Sequence, residues 1–350
     1  MCGIIGVIGK KPAASLMLEA LKRLEYRGYD SAGIATLTPQ GIDRRRAEGK
    51  LVNLGNLIEK QPIEGNIGIG HTRWATHGAP NEVNAHPHAT EEVAVVHNGI
   101  IENYQQLRTE LTRHGHVFTS QTDTEVLPHL ITYYLKQGKS PREAVAATLK
   151  RLEGAFALGI LFRSAPNAIY AARRGSPLAV GYGDGEMFIG SDAVALAPLT
   201  NKICYLEEGD WAELTATGAE IFNANDEPVK RQIKETALSG AAIGKGNHRH
   251  YMQKEIYEQP VVVGATFNVF YHAGDASIHL PELPFKLTDI SRITLVACGT
   301  SYYAGLVARY WFESLARLPV DIDVASEFRY REPVLEDNGL TILISQSGET

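Results

Sequence analysis

Residues 2–8 read Cys2-Gly3-Ile4-Ile5-Gly6-Val7-Ile8 and place a thiol directly before a short apolar run. The glycine-bounded run predicts a β-strand over Gly3–Ile8. If the initiator methionine is removed, which a small second residue allows, Cys2 carries its own α-amino group. That amine has a pKa of about 7.7–8.0 and can act as a general base for thiolate attack on a carboxamide. Taken alone, the position favours a plainer interpretation, a small apolar residue that opens a strand.

Other polar residues further along the chain suit the same chemistry. Asn98 and Gly99 follow the predicted strand Val93–Val96 and offer a side-chain amide and an unobstructed backbone N–H to a developing oxyanion. If the carboxamide is that of free glutamine, the substrate also carries a carboxylate and an ammonium. The Arg73 guanidinium could bind the carboxylate, and Asp123 could accept a hydrogen bond from the ammonium. Asp123 is equally compatible with a helix N-cap and no further role.

The hydrophobic pattern predicts alternating strands and helices over the first ~220 residues, a layered α+β fold. Four helices are expected, the last opened by a capping box at Ser140-Pro141-Arg142-Glu143. They begin near Pro12, Asn103, Asp123 and Ser140. The strands predicted besides Gly3–Ile8 and Val93–Val96 are Gly33–Leu37, Ile67–Gly70, Ala155–Phe162, Ala168–Ala172, Leu178–Tyr182 and Glu186–Gly190.

The texture of the chain changes after residue 222, which predicts two domains. Residues 223–250 are polar and dotted with glycine, and we predict an interdomain linker there, between a first domain at 1–222 and a second at 251–350. In the second domain, strands at Arg292–Ala297, Val320–Ala325 and Thr341–Ile344 with a helix at Tyr302–Leu315 predict a parallel α/β unit.

Composition excludes several classes of protein. The 350 residues include 34 basic and 40 acidic side chains, and a net charge of −6 disfavours nucleic-acid binding. No window approaches the ~18 apolar residues of a membrane span, so a cytoplasmic location is expected. The basic run Arg44–Arg46 is predicted to be a solvated face.

Neither a metal nor another cofactor is expected. The three cysteines, Cys2, Cys204 and Cys298, are far apart, which excludes a disulfide framework or a thiolate cluster. Histidines crowd one region of the sequence without the carboxylate offsets of a metallohydrolase. They are His71, His77, His86, His88 and His97.

Five ordered blocks closely resemble the N-terminal-nucleophile glutaminase domain of class II glutamine amidotransferases. Within that class, the Thr-Arg-Trp-Ala-Thr-His-Gly block resembles the glutamine–fructose-6-phosphate aminotransferases, and the resemblance continues through residues 250–260. It implies an αββα sandwich followed by an incomplete sugar isomerase (SIS) domain. The blocks are Cys2–Gly6, Tyr26–Gly33, His71–Gly78, His97–Asn103 and Thr122–Glu125.

The resemblance also implies roles for individual residues. Cys2 would be the nucleophile, and Asn98 and Gly99 the oxyanion hole. Trp74 would in addition gate an ammonia channel, and Arg27 would support the pocket. The residues implied to bind glutamine are Arg73, Trp74, Thr76, His77 and Asp123.

The second half resembles a SIS domain, whose hydroxyl-rich turns hold the phosphate of fructose 6-phosphate; ordinary small-residue turns are the alternative. The family has two SIS domains, whereas this chain stops inside the first. We therefore expect it to hydrolyse glutamine without forming glucosamine 6-phosphate, and the family's homodimer is in doubt for it. The residues implied to bind the phosphate are Cys298, Gly299, Thr300, Ser301, Ser345, Gln346, Ser347 and Thr350.

Two other functions stay open at this point. One is a class II amidotransferase that delivers ammonia to a phosphoribosyl or acyl-adenylate acceptor. The other is a catalytically silent module that senses a sugar phosphate. The two SIS-like turns argue against the first, and the complete set of glutaminase residues argues against the second.

Overall fold

Two β-sheets stacked between two layers of helices form the first part of the chain. In the computed structural model, which describes residues 2–25, 28–74, 78–235, 248–272 and 277–345, the chain divides into units at Met1–Tyr251 and Met252–Thr350. The strands of the first unit are β1 (Gly3–Ile8), β2 (Ser31–Thr38), β3 (Gly41–Glu48), β4 (Ile67–Arg73), β5 (His88–Ala89), β6 (Val93–Ile101), β7 (Gly154–Phe162), β8 (Ile169–Arg174), β9 (Ala179–Tyr182), β10 (Met187–Gly190), β11 (Lys202–Tyr205), β12 (Trp211–Thr215), β13 (Gly218–Phe222), β14 (Pro228–Val229) and β15 (Ile233–Glu235).

The strands form an eight-stranded sheet, β15-β11-β9-β10-β1-β4-β2-β3, and a seven-stranded sheet, β14-β13-β12-β8-β7-β6-β5. Within each sheet the neighbouring strands run antiparallel. The helices of this unit are α1 (Ala13–Lys22), α2 (Leu51–Lys60), α3 (Tyr104–Arg113), α4 (Val126–Lys136), α5 (Pro141–Leu149) and α6 (Ala193–Leu196).

Strand β1 is apolar throughout because both of its faces are covered. Ile4 and Ile8 pack into the core between the two sheets, whereas Ile5 and Val7 pack with residues of the helices on the outer face of the first sheet. A second outer core joins α3, α4 and α5 to the seven-stranded sheet. These three cores make an αββα sandwich, which confirms the predicted fold class.

Several predicted elements are confirmed, while others begin later or were not predicted. The capping box of α5 is present: Ser140 Oγ accepts from Glu143 N–H, and Glu143 Oε2 accepts from Ser140 N–H at 2.8 Å. The helix predicted from Asp123 begins instead at Val126. The sequence analysis missed α2 and β3, the strand that contains Arg44–Arg46.

The prediction of a solvated face for Arg44–Arg46 is wrong. Arg44 donates to Pro87 O at 2.9 Å, and Arg46 donates to Ala85 O at 3.0 Å. Burial, together with the neighbouring charge of Arg44, lowers the pKa of Arg46 to about 10. These guanidinium groups tie an edge strand to a loop forty residues away, which a local charge pattern does not reveal.

The two sheets continue into the segment predicted to be a linker. Strand β14 pairs with β13, and β15 pairs with β11. Residues 236–247 lie outside the described part of the chain.

The second unit contains a three-stranded parallel sheet in the order β19-β18-β20. Helix α8 packs closely on it: a Cβ added at Gly305 would lie 2.7 Å from Ile322 Cδ1. No helix in the described ranges is long and apolar enough to cross a membrane. The elements are α7 (Tyr251–Phe270), β16 (Tyr271–His272), β17 (Ser277–Ile278), a 3₁₀ turn at Leu287–Asp289, β18 (Arg292–Ala297), α8 (Gly299–Trp311), a π-turn at Phe312–Ala316, β19 (Val320–Val324), α9 (Ala325–Tyr330) and β20 (Gly339–Ile344).

Candidate active site

Cys2 lies immediately before β1, beside the end of the antiparallel strand β4. The β1–β4 register pairs Gly3 with Thr72, which brings Cys2 next to Trp74. Trp74 N–H donates to Cys2 Sγ at 3.2 Å, and the thiol donates to Trp74 O at 3.5 Å. The thiol is half-buried, so a small substrate can reach it. A hydrogen bond from a backbone N–H favours the thiolate form of a cysteine.

Asn98 belongs to the seven-stranded sheet, and its side chain contacts Cys2. It lies on β6 with 5% of its surface exposed, and its Nδ2 donates to the carbonyl oxygen of Cys2 at 3.2 Å. Gly99 follows with φ of 120°, and a Cβ there would lie 2.0 Å from Ala155 O. Only glycine fits this backbone conformation so close to the paired strand β7, and the backbone beside Asn98 therefore carries no side chain.

Arg73 ends β4 and is buried except for 4% of its surface. Its guanidinium donates to Gly78 O at 3.4 Å and Ala79 O at 3.3 Å. Burial lowers the pKa of Arg73, while the charges of Cys2, Asp30 and Asp123 oppose that shift. Two other groups predicted for the site, Cys2 and Asp123, therefore interact electrostatically with Arg73.

Asp123 is brought to the end of β6 by the turn that precedes α4. Its Oδ2 accepts from Ile101 N–H at 2.8 Å and lies 4.0 Å from His97 Nδ1. The carboxylate thus bonds to a strand, and the interpretation of Asp123 as only a helix N-cap is not supported.

Glu125, which the sequence analysis did not single out, shapes the turn that carries Asp123. Its carboxylate accepts from the backbone N–H and the hydroxyl of both Thr119 and Ser120, at 2.7–2.9 Å. Burial raises the pKa of Glu125, but these hydrogen bonds outweigh burial and lower it overall. The sequence signal for this turn is a glutamate that follows the hydroxyl residues Thr119 and Ser120 within six positions.

Trp74 lies at the surface of the site, with 44% of its area exposed. Its ring makes an edge-to-face contact with Tyr29, with centroids 5.6 Å apart. Behind it, a Cβ at Gly28 would lie 2.8 Å from Arg73 O, so the chain passes Arg73 at close range. The predicted residues Arg27, Thr76 and His77 lie outside the described residues.

Four histidines form a buried cluster beneath Asn98, and the sequence analysis weighed them only as metal ligands. Burial lowers the pKa of His71 to about 3 and holds those of His86 and His88 well below the usual range. His97 is the fourth member, 2% exposed. In the part of the chain that is described, no group of three His, Cys, Asp or Glu side chains could hold a metal ion. The signal that could have found a structural role is a histidine within an otherwise apolar, buried strand.

The predicted phosphate-binding turns of the second unit follow neighbouring parallel strands. Ala297 at the end of β18 pairs in register with Ile344 at the end of β20, so the turns that begin at Cys298 and Ser345 lie at the same sheet edge. Cys298 is the N-cap residue of α8, and Gly299 has φ of 56°. Thr300 and Ser301 fall in the first turn of α8. Gln346, Ser347 and Thr350 lie outside the described residues.

Comparisons with known proteins match both units. Residues 71–198 match the glutamine amidotransferase domain family, and residues 286–350 match the SIS domain family. Over its full length the chain is 58% identical to the glutamine–fructose-6-phosphate aminotransferase [isomerizing] of Zymomonas mobilis and 55% identical to that of Gluconobacter oxydans. Over its whole length the chain is therefore a homologue of glutamine–fructose-6-phosphate aminotransferases, and it contains a glutamine amidotransferase domain and a SIS domain. It spans 58% of the length of each of these two family members.

Solved structures of lower identity agree with the fold alone. The glutamine phosphoribosylpyrophosphate amidotransferase of B. subtilis is 20% identical, with a TM-score of 0.56 over 92% of this chain and 65% of that one. The structure described as the allosteric regulatory enzyme of purine biosynthesis gives a TM-score of 0.58 at 20% identity, over the same shares of the two chains. The resemblance predicted from the ordered sequence blocks is confirmed.

Proposed function

We propose that the chain hydrolyses L-glutamine at Cys2. The observation that carries the proposal is the hydrogen bond of 3.2 Å from Asn98 Nδ2 to the carbonyl oxygen of Cys2, which brings an amide of one sheet to the nucleophile residue that precedes a strand of the other. A nucleophile beside a preorganised amide donor is what acyl transfer requires.

In the proposed reaction the Cys2 thiolate attacks the carboxamide carbon of glutamine. The α-amino group of Cys2, free once Met1 is removed, takes the thiol proton and returns a proton to the departing nitrogen. Asn98 Nδ2 and the Gly99 N–H stabilise the oxyanion of the tetrahedral intermediate. Ammonia leaves, a γ-glutamyl thioester remains on Cys2, and water hydrolyses it to glutamate.

Recognition of glutamine is assigned to the charged rim of this site. Arg73 would hold the substrate α-carboxylate as a forked donor, and Asp123 would accept from its ammonium. The opposing charges of these two side chains act on each other, which supports their placement in one pocket. Trp74, Thr76 and His77 complete the proposed pocket.

The second unit is proposed to bind D-fructose 6-phosphate, whose conversion to D-glucosamine 6-phosphate would consume the ammonia. The SIS match and the names of the relatives support this acceptor. Cys298–Ser301 and the turn from Ser345 through Gln346, Ser347 and Thr350 would surround the phosphate at the N-terminus of α8. The common sheet edge of the two turns supports this assignment.

The test is glutamate release from glutamine by the whole chain, with free ammonia and amino sugar measured separately. We expect glutamate and ammonia in equal amounts, and tighter binding of fructose 6-phosphate than of phosphoribosyl pyrophosphate in calorimetry. A chain that folds but releases no glutamate would refute the glutaminase proposal.

The setting of the protein is also a proposal. By family resemblance we propose a homodimer in the cytoplasm with no nucleic-acid or membrane partner, and the net charge of −6 supports the absence of a nucleic-acid partner. Sedimentation equilibrium at micromolar concentration tests the dimer directly.

A further inference from the structure

His71 lies on β4, fully buried, with its Nε2 facing two oxygen atoms. Nε2 is 3.0 Å from Asn98 Oδ1 and 3.0 Å from His97 O. Both oxygens can only accept, so the hydrogen of the neutral ring must reside on Nε2. Among the residues that the structure describes, the opposite nitrogen, Nδ1, has no hydrogen-bond partner and is buried, so a hydrogen placed there would meet no acceptor among them.

This tautomer decides which end of the Asn98 amide faces the nucleophile. With Oδ1 held by the imidazole N–H, Nδ2 points the other way and donates to the Cys2 carbonyl at 3.2 Å. A flipped amide would set NH₂ against the N–H of His71 and an oxygen against the carbonyl oxygen of Cys2. Only the NH₂ end can stabilise an oxyanion, so the direction of the amide is a catalytic requirement.

His86 contacts the same nitrogen of His71 that faces Asn98. Its Nδ1 lies 3.1 Å from His71 Nε2, and the two rings are 4.2 Å apart. Because Nε2 of His71 carries a hydrogen, Nδ1 of His86 must present its lone pair. The approach depends on Gly33, where a Cβ would lie 2.2 Å from His86 O.

The loop that carries His86 is in turn held by the basic run on β3. Arg46 donates to Ala85 O at 3.0 Å, and Arg44 donates to Pro87 O at 2.9 Å, one residue on either side of His86. Arg44 and Arg46 have no role in the proposed reaction. Their hydrogen bonds to this loop explain why their side chains point inward.

We propose that His71 is a positioning residue for Asn98, holding the amide so that its NH₂ end faces the carbonyl group attacked by Cys2. The proposal rests on the glutaminase function proposed above. Its specific content is that His71 acts through Asn98 and through no other group of the site.

The experiment is a double-mutant cycle in the whole chain, with glutamate release as the readout. His71→Leu removes the donor, and His71→Gln places an amide N–H near the position of Nε2. We expect His71→Leu to lower kcat about 10- to 100-fold with KM for glutamine changed less than about threefold, and His71→Gln to recover most of the loss. In an Asn98→Ala background, His71→Leu should cause no further loss.

The matched control is His88→Leu, in the same buried cluster. His88 Nε2 contacts Thr122 Oγ1 at 3.0 Å, in place of the contact with Asn98 that His71 makes. We expect it to lower the melting temperature as much as His71→Leu does while kcat falls less than about threefold. Equal losses of kcat in the two variants, or additive losses with Asn98→Ala, would overturn the proposal.

A second measurement is independent of activity. In the ¹⁵N-histidine-labelled chain, long-range ¹H–¹⁵N NMR should show His71 as the neutral Nε2–H tautomer. The Nδ1–H tautomer would overturn the proposal even if glutamine is hydrolysed, whereas an inactive wild-type chain with the Nε2–H tautomer would count against the glutaminase function only.

Discussion

At the residue scale, Cys2 is the group on which the proposed reaction depends most. Cys2→Ala should abolish glutamate release, because neither the nucleophile nor the thioester could form. The variant should still fold, because the Cys2 side chain is only half-buried and the residue precedes β1. Stopped assays with the variant and wild type, together with their circular dichroism spectra, check this expectation.

The amine of Cys2 can be tested separately from its thiol. A chain that retains Met1 has an amide in place of the basic amine and should be nearly inactive, although Sγ is intact. Mass spectrometry of the intact chain establishes which form is present. Full activity in a form proved to retain Met1 would contradict the α-amino mechanism.

Asn98 and Asp123 are expected to fail in different ways. Asn98→Ala removes an oxyanion donor and should lower kcat about 10²–10³-fold, about 2.7–4 kcal/mol. Asp123→Asn keeps an oxygen that can accept from Ile101 N–H but loses the charge that faces the substrate ammonium, so KM should rise. Steady-state kinetics over a range of glutamine concentrations separates the two. A loss of kcat at unchanged KM in both variants would contradict this division of roles.

At the scale of elements, Gly99 on β6 lies against the backbone of the neighbouring strand β7 at Ala155. Gly99→Ala would set a Cβ 2.0 Å from Ala155 O in a backbone of φ 120°, so the strands must separate. Left-handed strain and overpacking together cost about 2–5 kcal/mol. Urea unfolding should show that loss, and glutaminase activity should fall with it.

Gly218→Ala is the control for that substitution. Gly218 begins β13, and a Cβ there meets nothing within 4 Å. We expect its unfolding midpoint to match the wild type. If Gly99→Ala also left the unfolding midpoint unchanged, the close approach of Gly99 to Ala155 O would not constrain the fold.

The elements that the sequence predicts are those with local causes. Strand β1 is recognised by its apolar run, and α5 by a capping box contained in four residues. Arg44–Arg46 and His71 are misjudged because their partners lie 27 to 43 residues away, on segments that only the folded sandwich brings together. Cys2, Arg73, Asn98 and Asp123 could be proposed because the substrate chemistry itself demands those residue types.

At the scale of the whole molecule, the first unit contains its own cores. Three clusters of buried apolar side chains, between the sheets and on each outer face, consist only of residues from this unit. Residues 1–251 expressed alone should therefore fold, with a urea midpoint equal to that of the corresponding transition in the whole chain. A molten far-UV and near-UV signature would contradict this expectation.

The buried histidine cluster should make the stability of this unit depend on pH. Burial lowers the pKa of His71 to about 3 and keeps those of His86 and His88 well below normal, and the charge of Arg73 acts in the same direction on all three. In the unfolded chain these imidazoles return to a pKa of about 6.5. Below that pH the unfolded state binds protons that the folded state refuses, so the free energy of unfolding falls as the solution is acidified.

The window runs from about pH 6.5 downward to the folded value of about 3 for His71, and stability should be complete above it. Each unfolded imidazole is half protonated at pH 6.5 and almost fully protonated at pH 5.5, so each contributes about 1 kcal/mol over this interval and the three together roughly 3 kcal/mol. Carboxylates with ordinary pKa values titrate below this interval. Urea unfolding at pH 7.5, 6.5 and 5.5 measures the slope, and His88→Gln should reduce it by about one proton. A free energy of unfolding that stays constant from pH 7.5 to 5.5 would show that these histidines are solvated or already paired with a proton in the folded state, which their burial and the Nε2 contacts of His71 do not permit.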